Sequence, residues 1–192
     1  MDTSPAVTKT SPYPHAVKFY DDDLSLGRTV AAFLAPGLEN RQPALVIATP
    51  EHRRVIAAEL RLRHINVAQR ERSGDLLMVD AEAILNRFMV GTEPDALAFH
   101  ATVDELIARA CRDRMPCPVR AYGELVDVLW KRANAAGAIQ LEVLWNQVAL
   151  KTEFSLLCGY AVGNFFKEVP AGPTFQTVCD QHNHIIPEDL SA

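Results

Sequence analysis

Among the residues able to do chemistry, Glu124 has the most telling surroundings. Pro118-Val-Arg-Ala-Tyr-Gly-Glu124 reads as a short buried strand and a glycine turn, followed by an amphipathic helix with apolar Leu125, Val126, Leu129 and Trp130. In open α/β sheets, ligands bind in the crevice at the carboxyl ends of the strands. A carboxylate beside a helix N-terminus is also stabilised by the helix dipole. Taken alone, such a glutamate is an ordinary first-turn acid, so the case for a site rests on what the rest of the chain brings to it.

A second candidate is Asp22-Asp-Leu-Ser-Leu-Gly27-Arg28-Thr29. A phosphate loop needs glycine, four residues, glycine, lysine, then Ser or Thr, because bare backbone amides and one lysine cradle the phosphates. Here the first glycine is an aspartate and arginine replaces lysine. The acids Asp21, Asp22 and Asp23 would oppose a triphosphate by about 1 kcal/mol per close pair even in water. Gly27-Arg28-Thr29 is therefore read as chance agreement, and no cofactor is expected. Leu76-Leu-Met-Val-Asp80 is read as a strand followed by an N-cap aspartate. Cys179 and His182-Asn-His184 offer metal-ligand types, but a structural zinc site usually takes four ligands, often as two separated pairs. No second pair lies nearby, so no metal site is expected and this stretch reads as a polar tail. Ser25 and Ser155 lack the glycine elbow of a hydrolase serine. No catalytic residues emerge, and the chain is not expected to be an enzyme.

What does emerge is a polar rim with aromatic walls. The ligand-binding candidates are His15, Tyr20, Asp22, Thr49, Glu124, Trp145 and Asn146. Tyr20 and Trp145 would be apolar walls, and Glu124 and Asn146 the anchors that fix orientation. His15 titrates near physiological pH and suits a switch.

The elements that must position these residues follow from periodicity. Val17–Tyr20 alternates as a strand with His15 at its start, and the three aspartates offer N-caps for a helix over Leu24–Ala35, closed by Pro36-Gly37. Residues 43–48 form a continuous apolar run, as in a strand buried on both faces. Thr49-Pro-Glu-His52 then opens a helix to about Arg63. A strand over Leu76–Val79, a helix over Ala81–Met89 broken at Gly91, and a helix from Pro94 to about Cys111 come next. After the Val119 strand and its helix to about Ala133, Gly137 separates a helix over residues 138–150. A strand over Phe154–Tyr160 and a short helix over Thr174–His182 complete the pattern. Alternating strand and helix argue an α/β fold: three layers, a mainly parallel sheet flanked by helices. One domain is expected over residues 15–187, with 1–14 a flexible leader and 188–192 a tail.

Composition bounds the function. At 192 residues, 48% hydrophobic and 22% charged, the chain is globular. No apolar run reaches the roughly 18 residues needed to span a bilayer. A net charge of -5 argues against a nucleic-acid surface, and no membrane or direct nucleic-acid partner is expected. Cys111, Cys117, Cys158 and Cys179 make no disulfide framework in a chain without a secretory signal, so a cytoplasmic protein with reduced thiols is expected.

Five stretches, His15-Ala-Val-Lys-Phe-Tyr-Asp-Asp-Asp23, Val46-Ile-Ala-Thr-Pro-Glu-His52, Arg120-Ala-Tyr-Gly-Glu124, Leu141-Glu-Val-Leu-Trp-Asn146 and Phe154-Ser-Leu-Leu-Cys158, resemble in order the MEDS domain, the methanogen/methylotroph, DcmR-type sensory domain. The resemblance runs from about His15 to Pro187. It implies a RecA/KaiC-like fold with a degenerate phosphate loop and a signalling role. Such domains occur alone or joined to histidine kinases or DNA-binding regions, and are thought to sense small molecules such as hydrocarbon derivatives. The expectation is a stand-alone sensory module that binds an unknown small molecule and reports through a histidine kinase or transcription regulator. The alternatives are a RecA-like protein with residual ATP binding and a pure protein-interaction module.

Overall fold

The computed structural model describes residues 14–112, 114–165 and 174–187; the expected leader and tail lie outside them apart from Pro14. Strands β1 (His15–Tyr20), β2 (Ala44–Ala48), β3 (Leu76–Asp80), β6 (Val119–Gly123), β7 (Phe154–Ala161) and β8 (His184–Ile186) form one sheet in the order β3-β2-β6-β7-β1-β8. Every neighbouring pair in it is parallel. The short strands β4 (Met89–Val90) and β5 (Glu93–Pro94) make a separate antiparallel hairpin. The connections are carried by α1 (Asp23–Glu39), α2 (Pro50–Leu62), α3 (Val67–Ser73), α4 (Ala81–Leu85), α5 (Ala96–Cys111), α6 (Leu125–Lys131), α7 (Ala135–Ala149) and α8 (Phe175–Cys179).

Because successive strand residues point to opposite faces, the alternation sorts the core in two. Val17, Phe19, Leu45, Ile47, Leu156, Cys158 and Tyr160 pack under α4 to α7. Ala16, Tyr20, Val46, Tyr122 and Leu157 pack against α1, α2 and Val67 of α3. Helices cover both faces, so β2 and β7 are continuous apolar runs. Charged groups interrupt this core at several points, and the one on β1 is a lysine. Lys18 of β1 is fully buried, and its ammonium donates to the Pro187 carbonyl at 2.6 Å.

Several boundaries depart from expectation. The first helix runs through Pro36-Gly37 to Glu39, because the Pro36 carbonyl accepts both the backbone N–H (3.3 Å) and the side-chain amide (2.8 Å) of Asn40 and holds the last turn together. The expected Ala81–Met89 helix stops at Leu85, and Met89 instead joins the hairpin turned by Gly91 at φ 63°. Gly137 lies inside α7 rather than before it, since Asn134 caps that helix by accepting the Gly137 N–H at 3.0 Å. Helix α3 was not anticipated: Asn66 caps it, Gly74 ends it in the left-handed region, and Val67 is its one buried residue. The stretch expected as a polar tail supplies β8, which pairs with β1 at the sheet edge.

The expectation of four reduced thiols is also corrected. Cys111 ends α5, Arg112 turns the chain back through a left-handed conformation, and Cys117 returns with its Cα 5.8 Å away to form a disulfide. Cys158 and Cys179 are free. No helix among the described residues is long and apolar enough to cross a membrane.

Candidate functional site

Two buried polar networks lie along β1, one at its end and one at its start. The first gathers at the carboxyl ends of the strands. Glu124 follows Gly123, and its backbone N–H continues the ladder to Ile47 at 3.1 Å. Its side chain makes no cap bond to α6. It turns across to the next strand end, where it accepts the Thr49 backbone N–H and the His52 Nδ1–H, together with the Tyr122 hydroxyl at 3.2 Å. Thr49 caps α2, and this places His52 in the first helical turn, facing inward. The other imidazole nitrogen, Nε2, meets Asp23 Oδ1 at 3.1 Å.

Asp127, in the first turn of α6, is as buried as Glu124 and equally well served. The Tyr20 hydroxyl donates to Oδ2 at 2.9 Å, and Oδ1 accepts the Ala161 N–H at 3.0 Å and the Asn164 amide at 2.7 Å. Lys131 adds an ion pair at 2.8 Å. The Tyr20 ring stands edge-on to His52 at 5.7 Å, joining the two carboxylate centres.

With a carboxylate at each nitrogen, His52 is drawn toward the imidazolium. Burial opposes its charge, but hydrogen bonds and Coulomb attraction from Glu124, then Asp23, outweigh this and raise its pKa above the ordinary histidine value. Burial, reinforced by Asp127, raises the Tyr20 phenol, and burial with Glu124 raises Tyr122 well above the ordinary range. The rim therefore holds protons firmly at His52, Tyr20 and Tyr122.

The second network surrounds Glu142 of α7, which is fully buried. Its Oε1 accepts the Tyr160 hydroxyl at 2.8 Å and lies 3.4 Å from His182 Nε2. Its Oε2 lies 3.2 Å from His15 Nε2 and 3.5 Å from the Cys158 sulfur. Cys158 and His15 are themselves 3.5 Å apart. The strand pairing explains the meeting: Val17 is in register with Cys158, so His15 and Cys158 share a face of adjacent strands. Burial, with Glu142 adding to it, pushes the Cys158 thiol well above the ordinary range, and burial lowers His182.

The seven candidate residues divide between these places. Tyr20, Thr49 and Glu124 meet at the rim. His15 and Asn146 meet in the second network, Nδ1 to Oδ1 at 2.8 Å. Asp22 joins neither; it caps α1 by accepting the Ser25 N–H at 2.8 Å, and its neighbour Asp23 reaches the rim instead. Trp145 lies in the core, stacked on Phe154 and edge-on to Phe99. A surface groove of about 660 Å³, with Arg28, Phe33, Glu59 and Arg63 in its walls, contains none of the seven. Sequence reasoning passed over His52, Asp127, Glu142, Cys158 and His182 as site residues. A usable signal existed for two of them: Asp127 follows Glu124 by three residues and Glu142 precedes Asn146 by four, spacings that share a helix face.

A three-layer α/β domain with an all-parallel main sheet and two buried polar networks is thus the class defined by fold and site. Residues 14–171 match the family model described as MEDS, the MEthanogen/methylotroph, DcmR Sensory domain, and the chain belongs to that family of sensory domains. Neither a curated protein nor a solved structure matches it.

Proposed function

We propose that this sensory domain binds a small ligand at the carboxyl ends of its strands and reports through a protein partner, such as a histidine kinase or transcription regulator. The observation that carries this reading is His52, held between Glu124 of the β6–α6 junction and Asp23 of α1. A ligand that takes over one of these hydrogen bonds changes how α1, α2 and β6 are tied together, which converts binding into a shape change. Asp23 is half-exposed and gives the ligand its way in. Asp21, Asp22 and Asp23 repel anions, so the ligand is a neutral or amine-bearing small molecule, such as a polar hydrocarbon derivative.

The same acids support a RecA/KaiC-like ancestry with a degenerate phosphate loop. Asp22 occupies the amide at the N-terminus of α1 that an anion would take. Gly27 serves packing: a Cβ there would meet Val55 Cγ1 of α2 at 2.5 Å. Thr29 spends its hydroxyl on the Ser25 carbonyl at 3.0 Å. Nucleotide binding is accordingly the weaker reading. So is docking through α7, whose large exposed apolar side chains are Val143 alone, with Leu150 just past its end.

A thermal-shift screen of small neutral and amine metabolites tests the proposal. At least one compound stabilises the wild type, and Glu124→Gln, which keeps the size and removes the charge, suppresses that shift. A silent screen, or a compound whose shift survives Glu124→Gln, overturns it. Saturable ATP–magnesium binding in equilibrium dialysis overturns the reading of the acidic loop.

A further inference from the structure

In the network around Glu142, hydrogen bonds fix where each ring proton sits. The Asn146 amide donates to the Gln181 carbonyl at 3.0 Å, and a carbonyl only accepts, so the Asn146 oxygen is the atom that faces His15. His15 then donates from Nδ1, and in the neutral ring its Nε2 carries a bare lone pair. His182 Nδ1 lies 2.7 Å from the Val178 carbonyl and donates to it, so in the neutral ring Nε2 is bare as well. Nε2 of His182 is buried and has no hydrogen-bond partner among the described residues. With both rings neutral, two imidazole lone pairs aim at a carboxylate that is also an acceptor. The single thiol proton of Cys158 can serve only one of the neighbours, and the Tyr160 hydroxyl is committed to Oε1. Lone pairs converging in a water-excluded place repel one another unless a proton or a metal cation sits among them.

We propose that His15, Glu142, Cys158 and His182 form a binding site for a divalent transition-metal ion, zinc in the first instance. One ligand atom from each lies within 4.8 Å of all the others. Around Glu142 Oε2, His15 Nε2 and the Cys158 sulfur form a triangle with sides of 3.2, 3.5 and 3.5 Å, close to the tetrahedron edge of roughly 3.3–3.8 Å that zinc bonds to nitrogen, oxygen and sulfur require, and His182 Nε2 lies 3.4 Å from the other carboxylate oxygen. Two imidazoles, one thiolate and one carboxylate suit a borderline ion and not calcium or magnesium, which prefer oxygen alone. Each histidine also has the outer hydrogen bond that typically orients a metal-bound imidazole, to Asn146 and to the Val178 carbonyl. On binding, the Cys158 sulfur–hydrogen bond breaks: sulfur keeps the electron pair and donates it to the metal, and the proton leaves to solvent or buffer. No redox partner is required.

Sequence reasoning sought a second ligand pair near Cys179 and His184. The partners of His182 come instead from the start of β1, the middle of α7 and the middle of β7.

The test uses the full chain without an affinity tag, loaded with zinc or cobalt(II) and passed through a desalting column. We expect one bound ion per chain by elemental analysis. The cobalt form shows tetrahedral d–d absorption with a thiolate-to-cobalt charge-transfer band. Cys158→Ser abolishes that band and Cys179→Ser leaves it intact. Asn146→Ala, which keeps all four ligands, weakens zinc binding by about 10–100-fold. Absence of stoichiometric metal in the folded wild type overturns the proposal, whatever the folding of the variants. So does a charge-transfer band that survives Cys158→Ser or vanishes in Cys179→Ser.

Discussion

At the end of β1, two carboxylates are surrounded by donors; at its start, one carboxylate has a single phenol donor at short range and otherwise faces a thiol and two histidines. Glu124 and Asp127 receive backbone amides, an imidazole, phenols, a carboxamide and an ammonium, so their charge is compensated within the protein. Glu142 receives one phenol and faces two imidazole nitrogens and a sulfur. Burial is the same in both places, and cost is decided by the donor count. The first region is complete with the protein's own donors, whereas the second is the one for which a metal ion is proposed.

The largest effect that would break this comparison is removal of Glu124. Glu124→Ala leaves His52, the Thr49 amide and the Tyr122 hydroxyl without their shared acceptor, and should cost about 3–5 kcal/mol in urea unfolding. A loss below about 1 kcal/mol, the scale of an exposed ion pair, would mean that the rim is not the compensated network described here.

A smaller effect is carried by pH. The folded pKa of His52 is raised, so its contribution to stability is fully present below the ordinary histidine value and is lost as pH rises through the folded value. The urea midpoint should therefore fall as pH rises through and above that range, and His52→Gln should flatten the slope. Histidine ring NMR provides the direct check: a His52 titration at or below the ordinary value would sink the assignment. The smallest effect is Asp22→Ala, which removes a helix cap at about 1 kcal/mol and should leave the His52 titration in place.

How much of this was legible in the sequence depended on the range of the interaction. Strands such as Ala44–Ala48 and Phe154–Ala161 stood out because both faces are covered, making the first apolar throughout and the second apolar apart from Ser155 and the Tyr160 hydroxyl. Caps at Asp22, Thr49 and Asp80 were visible because a cap is decided within three residues. Helix α3 and β8 were not, since one buries a single valine and the other is a three-residue edge strand. At the site, Glu124 could be found from its strand-to-helix junction, but its partner His52 lies 72 residues earlier. The second network was less accessible still, because Cys158 and His15 are 143 residues apart and only the parallel pairing of β1 with β7 brings them together. Trp145 lies about 100° round the helix from Asn146, and that turn carries its ring away from the second network and onto Phe154 in the core.

Residues 174–187 concentrate several dependencies in one short stretch. The stretch lays β8 along the open side of β1, brings His182 to Glu142, grips the His15 backbone through Asn183 and supplies the carbonyl that quiets the Lys18 charge. Peeling it away would simultaneously bare a strand edge, strand a lysine in hydrocarbon and open the histidine pair to water. The sheet edge, the buried lysine and the His182–Glu142 contact therefore all depend on how this one segment is seated.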